Sequence, residues 1–535
     1  MTEWDHEVDV VVLGSGGAGL TAALAASVNG ATVEVYEKAA TVGGTTAVSG
    51  GIVWIPAHDR AEGELTADDA MAYLRAQSLG FMDEDLVETF VRTGARMLDF
   101  VEQHSDLVFE VAAGFPDYKP ELPGGKPAGG RSLNAKPFDL SLLGDWGERI
   151  SSFPADFSNV GIDAETRARI HAAVDEAGDY CVAGTALIAG LLKGLLDRGV
   201  VPHTQARAVE LTADPLGITG VRIEQGSNDF RVRARKAVIL GTGGFEWDQR
   251  LVEAYLRGPM RGAVSPPNNT GDGLRMAMAH GADLANMGEA WWVPIVQIPG
   301  DTFEGRPRSR SVRLERTRPR SIIVNRAGRR FLNEAGEYNS MAGPFHFLDP
   351  KLGYANDPAW IVFDSLHLKH YGFLGVDPDG PVPDWFCQSR DLEELGEKTG
   401  IDPAGLEATL SAWNTNVAAE HDPDFGRGAS AYDGYWGDTD AATTAGRTLG
   451  PIDTAPYYAV PVSVGAMGTK GGPRTDRDGR VLHVNGTAIT GLFAAGNAMA
   501  GATGKAYGGA GGTIGPAMVF GYRAGHAAAT GTSLS

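Results

Sequence analysis

The sequence predicts an α/β fold in which one parallel sheet is assembled from separate stretches of chain, with an α+β segment inserted between them. Three observations carry this. Near the N-terminus an apolar run ends in a glycine-rich turn, Asp9-Val10-Val11-Val12-Leu13-Gly14-Ser15-Gly16-Gly17-Ala18-Gly19-Leu20. Two later apolar runs end the same way, at Gly241-Thr242-Gly243-Gly244 and at Gly496-Asn497. The stretch before the last of these, roughly 299–467, differs in character, with short mixed strand patterns, many aromatics and clustered arginines. At 535 residues the chain exceeds a single core, so two or more domains are expected. The expected division is a dinucleotide-binding domain in two parts, 1–298 and 468–535, around an insert at 299–467.

The first run reads as a buried strand, and the Ala-rich stretch 20–28 as the helix after it. In the G-x-G-x-x-G between them, Gly14 permits the tight turn and Gly16 the approach of a pyrophosphate. Gly19 allows close helix–strand packing. The helix N-terminus, with Gly17 and Ala18, suits phosphates. A second strand at 31–36 ends at Glu37, placed to hold a ribose hydroxyl. The following loop offers amides and hydroxyls from Gly44, Thr45, Thr46, Ser49, Gly50 and Gly51. A strand near 237–240 leads to Thr242, Gly243 and Gly244. Asn269 and Asp272 open a helix whose first turn favours anions. Lys38, Ala208, Thr513 and Ile514 complete the expected cofactor lining, and a helix over 515–529 closes the chain. The three glycine exits at 14, 241 and 496 should converge on the carboxyl edge of one sheet.

Near the C-terminus comes Thr503-Gly504-Lys505-Ala506-Tyr507-Gly508-Gly509-Ala510-Gly511-Gly512-Thr513. Glycines there are expected to let the backbone approach a flat ligand. A phenol among exposed amides can donate to a developing oxyanion.

The net charge of −21 argues against nucleic acid and anionic membrane surfaces as partners. Cys181 and Cys387 form no C-x-x-C pair, so no metal site is expected. The first residues lack a signal-peptide pattern, and no apolar run reaches membrane-spanning length. A reduced cytoplasmic setting is expected. Ten arginines against Glu315 between Arg306 and Arg330 read as a solvated face with ion pairs.

The N-terminal fingerprint, the G-G-T-T-x-x-S-G-G loop at 43–51 and the A-x-G-N run at 494–497 resemble the FAD-binding domain of the fumarate reductase and succinate dehydrogenase flavoproteins. Thr46–Pro56, Gly465-Ala466-Met467-Gly468-Thr469-Lys470-Gly471-Gly472 and the Tyr507 loop look most like the 3-ketosteroid Δ1-dehydrogenases within that superfamily. The resemblance implies a Rossmann-type domain holding FAD, a 3-ketosteroid substrate and a second substrate that accepts electrons, such as a quinone. The loop at Thr45-Thr46-Ala47 has no histidine for covalent attachment, so FAD should be non-covalent. Carried over position by position, Tyr507 and the Gly511 amide polarise the 3-carbonyl, Tyr338 removes the carbon-2 proton, and Tyr118 assists it. Glu337 departs from the apolar residue or proline expected beside that base.

The chemistry asks for the same set. A ketone makes its neighbouring C–H acidic, donors at the carbonyl stabilise the enolate, and a base takes the proton. The adjacent hydrogen then leaves as hydride to the flavin. A phenol with a pKa of about 10 needs a second phenol or a positive field to serve as that base. Three alternatives were open at this level. A dehydrogenase acting at the steroid 4,5-bond shares the fold and the carbonyl logic. A fumarate-reductase-like enzyme needs a histidine where Met467 stands, and a flavin-binding sensor needs no base.

Overall fold

The computed structural model describes residues 4–152, 180–376 and 380–534. Its first sheet is built as the glycine exits predict. The strand His6–Leu13 lies between Val33–Tyr36 and Asn228–Leu240, and Ala488–Ala494 pairs on the far side of the latter, all parallel. The strand ends are level: Leu13 pairs with both Tyr36 and Leu240, and Leu240 pairs with Ala494. Gly14, Glu37 and Gly241 therefore leave the sheet side by side at its carboxyl edge, where crevices form in such sheets. Val10, Val11 and Val12 are fully buried, as a run with no polar alternation should be in a parallel sheet covered on both faces.

The helix Gly17–Val28 covers one face, and the last helix, Ile514–Thr530, packs along it. Gly521 and Gly525 lie against the Ala18 and Ala22 backbone, so small residues on both helices let the two ends of the chain meet.

A second sheet is wholly antiparallel. The long strand Tyr457–Thr469 is flanked by Ala290–Val296 on one side and Ala359–Asp364 on the other, with Ser321–Asn325 beyond. This sheet starts at Ala290 and ends at Thr469, overrunning both boundaries of the expected 299–467 insert.

The arginine-rich stretch departs from expectation. Arg316 is 1% exposed and donates to the carbonyls of Val312, Glu334 and Gly336. Arg330 pairs with Glu334 at 2.7 Å and Asp422 at 2.9 Å, and Arg427 reaches Glu334 at 3.2 Å. Burial pushes the Glu334 carboxyl up, but the charge of Arg330 and the bonds to it prevail and hold it below the ordinary range. These arginines brace the segment that carries Tyr338 instead of forming a solvated face.

Candidate active site

The sheet edge opens into one continuous cavity that runs on to three phenols. Its lining includes Gly14, Gly16, Gly17, Ala18, Glu37, Lys38, Gly44, Thr45, Thr46, Ser49, Gly50, Gly51, Ala208, Thr242, Gly243, Asn269, Asp272, Gly496, Asn497, Thr513 and Ile514. At its other end are Tyr118, Tyr338, Tyr507 and Gly511. Two expected cofactor positions lie off the lining. Gly19 meets the Gly14 carbonyl and serves helix–strand packing, as its place in the fingerprint implies. Gly244 is a correction: it abuts Thr469 and Glu246, so it packs the floor without facing the cavity.

The cofactor end fits a dinucleotide. Gly14 has φ +98°, and a Cβ there would strike the Gly241 carbonyl, so only glycine makes this turn. Glu37 is 9% exposed and accepts from Ser15 N at 3.0 Å, Ser15 Oγ at 2.7 Å and Ala39 N at 2.8 Å. Its position is fixed while it still lines the cavity. Thr46 Oγ1 accepts from Gly17 N at 3.1 Å, tying the loop to the helix N-terminus. Thr242 Oγ1 is buried on the lining with no hydrogen-bond partner, a donor awaiting a ligand. Lys38 and Asp272 face each other at 2.9 Å, with Arg207 on the other oxygen at 3.1 Å, so this pair closes the rim of the cleft.

At the opposite end, the Tyr118 and Tyr338 hydroxyls lie 2.6 Å apart, and Tyr338 donates to Tyr507 at 3.0 Å. Thr513 Oγ1 also donates to Tyr507, at 3.1 Å. The rings meet edge to face, with centroids 5.0–5.6 Å apart. Burial raises all three phenols. The bond between Tyr118 and Tyr338 splits them: it pulls Tyr338 down and pushes Tyr118 up, while the charge of Arg313 also pulls Tyr338 down. Of this pair, Tyr338 is the better placed to lose its proton and Tyr118 to donate to it.

Each phenol is held from several sides. The Tyr118 amide donates to the Gly508 carbonyl at 3.0 Å, joining its loop to the glycine run. Tyr73 Oη donates to the same carbonyl at 2.7 Å, and Gln77 donates to the Tyr507 carbonyl at 2.7 Å. Lys470, wholly buried, places its Nζ on the carbonyls of Gly504 at 3.2 Å and Ala506 at 3.1 Å, and 4.0 Å from the Trp291 ring centroid. Burial lowers Lys470 to about 7. Trp291 in turn stacks edge-on against Tyr507 at 4.7 Å.

Two glycines of this run are needed for packing. Gly508 and Gly509 press on the Trp54 indole, leaving no room for a Cβ at either position. Gly511, at φ +93°, abuts the Ile52 carbonyl. It lines the cavity, and its amide has no acceptor among the described residues. Glu337 also has a plain role. It is 5% exposed and accepts from the amides of Asn339 at 2.7 Å and Ser340 at 3.0 Å, with Lys119 at 3.9 Å. It caps the turn after Tyr338 and does not line the cavity.

Sequence reasoning missed several lining residues, among them Phe115, Trp436, Leu374, Ser15 and Arg313. Ser15 sits inside the fingerprint and was readable there; the others come from loops whose spacing carries no motif.

A parallel-sheet nucleotide cleft opening onto paired phenols defines a dinucleotide-dependent oxidoreductase. The comparisons agree. The FAD binding domain family matches residues 9–514. A 4-oxocyclohexanecarboxylate 2-dehydrogenase of Sinomonas cyclohexanicum is 41% identical, covering 97% of this chain and 92% of its own. A 3-oxosteroid 1-dehydrogenase of Mycolicibacterium smegmatis is 37% identical, covering 97% and 96%. The crystal structure of 3-ketosteroid Δ1-dehydrogenase from Sterolibacterium denitrificans, in complex with 1,4-androstadiene-3,17-dione, superposes with a TM-score of 0.91. It is 33% identical and covers 98% of this chain and all of that one. The chain belongs to the FAD-binding family that contains the 3-oxosteroid 1-dehydrogenases, and FAD is its cofactor. No helix of the described residues is long and apolar enough to cross a membrane.

Proposed function

We propose that this protein is an FAD-dependent dehydrogenase that introduces the carbon 1–carbon 2 double bond into 3-ketosteroids. The observation that carries the reading is the row of phenolic oxygens, 2.6 and 3.0 Å apart, in a cavity that Gly511 also lines. Tyr507 Oη and the Gly511 N–H donate to the ketone oxygen, where charge gathers as the enolate forms. Tyr338 Oη takes the proton from carbon 2, and Tyr118 stabilises the resulting phenolate by donating across the 2.6 Å bond. Arg313, its guanidinium carbon 5.5 Å from the Tyr338 ring centroid, adds a positive field that favours the same phenolate. FAD, when bound, supplies the acceptor for the hydride leaving carbon 1. The lining named above would hold it without a covalent bond. A separate acceptor, such as a quinone, must then remove the electrons.

The two sheets fit an FAD-binding domain interrupted by a substrate-covering insert, with the insert's sheet extending to Ala290 and Thr469. We place the protein in the cytoplasm. Met467 on the lining, where a fumarate-type site needs histidine, speaks against dicarboxylate reduction. The buried base speaks against a mere flavin sensor. A steroid 4,5-dehydrogenase would set a base against a different carbon. A second reading keeps the reaction and changes the ring: a monocyclic keto acid, as the Sinomonas relative's name specifies, favoured here by the unpaired Arg313.

The test is the product formed from androst-4-ene-3,17-dione with an artificial acceptor. The 1,4-dien-3-one is expected, with anaerobic bleaching of the flavin by the steroid alone. No bleaching with any ring ketone, together with reoxidation of reduced flavin by fumarate, would overturn the reading.

A further inference from the structure

Among the described residues, four cations line the cavity: Lys38, Arg308, Arg310 and Arg313. Three have carboxylate partners. Lys38 pairs with Asp272 at 2.9 Å, and Asp301 takes Arg310 at 2.6 Å and Arg308 at 3.9 Å. The Arg313 guanidinium has no ion pair or hydrogen bond among the described residues, and its Nε is buried without a partner. The nearby Glu315 carboxylate is spent on the Arg313 backbone amide at 3.0 Å. A buried guanidinium nitrogen with no partner, in an aromatic-lined cavity, is unfavourable unless a ligand completes it.

Its place is informative. Tyr338 Oη marks the carbon that loses a proton, and the guanidinium carbon sits over the same ring, 5.5 Å from its centroid. In a six-membered ring ketone, a substituent directly across the ring from the carbonyl lies about 6 Å from the ketone oxygen, from bond lengths of about 1.5 Å. With the oxygen held by Tyr507 and Gly511, a group on that far carbon falls within the span of the same phenol cluster. In a steroid that side of the ring is fused hydrocarbon, which gives a guanidinium nothing to bind. A carboxylate there would meet the two-pronged donor set that arginine offers.

Resting on the reading that this cavity takes a ring ketone, we propose that Arg313 is a specificity-determining residue that receives a carboxylate carried across the ring from the carbonyl. Among monocyclic ring ketones, those carrying that acid are then preferred over their neutral counterparts.

The test compares 4-oxocyclohexanecarboxylate with its methyl ester in the FAD-loaded enzyme, with androst-4-ene-3,17-dione as a neutral ring ketone of the other kind. Wild type should favour acid over ester by at least about 50-fold in kcat/KM, the range expected for a buried charge pair. Arg313→Met should collapse this ratio toward one, and Arg313→Lys should restore part of it. A ratio near one in wild type, or one unchanged in Arg313→Met, overturns the proposal. Should the variants not fold, competition against ester turnover in wild type decides. Cyclohexanecarboxylate, which has the acid and no ketone, should inhibit, and cyclohexanecarboxamide should not; equal inhibition by the two overturns the proposal. If the ester and steroid bleach the flavin and the acid gains nothing, only the role of Arg313 falls. If no ring ketone bleaches it, the broader reading falls with it.

Discussion

Tyr507→Phe removes one oxygen and almost nothing else. The ring keeps its contacts with Trp291 at 4.7 Å and Tyr118 at 5.0 Å, so no cavity opens. Two donors lose their acceptor, Tyr338 Oη and Thr513 Oγ1, but Tyr338 keeps Tyr118 at 2.6 Å. Stability should fall by only about 1–3 kcal/mol, the cost of leaving a buried donor unmet. On the proposed mechanism, catalysis loses one of two donors to the ketone oxygen, with the Gly511 amide remaining. Removing one such donor costs about 3–4 kcal/mol of transition-state stabilisation, or about 100- to 1000-fold in kcat. The assay is anaerobic stopped flow at the flavin band, following bleaching at saturating substrate, alongside flavin content and thermal unfolding. The expected variant is yellow, folded and slow. A bleaching rate within tenfold of wild type, with full flavin, would refute the assignment of Tyr507 as carbonyl donor.

Tyr338→Phe should be slower still, since it removes the proposed base itself; solvent deuterium exchange at carbon 2 should vanish with it, and persistence at the wild-type rate would place the base elsewhere. Tyr118→Phe should keep exchange but move the ascending limb of the kcat/KM profile to higher pH, because Tyr338 loses the bond that lowers its pKa; an unmoved limb would deny Tyr118 that role. Glu334→Gln leaves Arg330 and Arg427 without their shared anion and should cost about 3–5 kcal/mol in chemical denaturation. Lys470, lowered to about 7, binds fewer protons folded than unfolded between there and its ordinary value of 10.5. Its contribution to stability should therefore rise with pH across that window, by at most about 1.4 kcal/mol per unit, and the difference between wild type and Lys470→Met should show this slope.

The parallel sheet was legible because backbone and chemistry make the same demand there. A strand that must turn sharply beneath a phosphate needs Gly14, and a strand buried on both faces needs an unbroken apolar run such as Val10-Val11-Val12. Tyr507 was legible from its glycine run, but Tyr118 and Tyr338 only through resemblance. Tyr118, Tyr338 and Tyr507 are far apart in sequence and have no shared periodicity, so no local rule predicts oxygens 2.6 and 3.0 Å apart. The boundaries of the insert were blurred because its sheet is closed by the edges of the chain segments that lead into and out of it, at Ala290 and Thr469.

Two misreadings share one cause, which is that composition does not say what a residue faces. The glycines around Tyr507 read as a platform for a flat ligand, yet Gly508 and Gly509 are small because Trp54 lies against them. With Tyr73 and Gln77 bonded to the same run, that packing fixes Tyr507 through its backbone and leaves its hydroxyl as a donor for the proposed substrate. The arginines of 306–330 read as a solvated face, yet they divide by partner. Arg316 and Arg330 are sunk into carbonyls and carboxylates, and they brace the Tyr338 segment. Arg313 is left over in the cavity without a counter-ion among the described residues. A cation that the fold does not neutralise is a demand placed on the ligand. On the proposed reading, the same stretch of sequence holds the base in place and, through Arg313 in the cavity, bears on which ketones reach it.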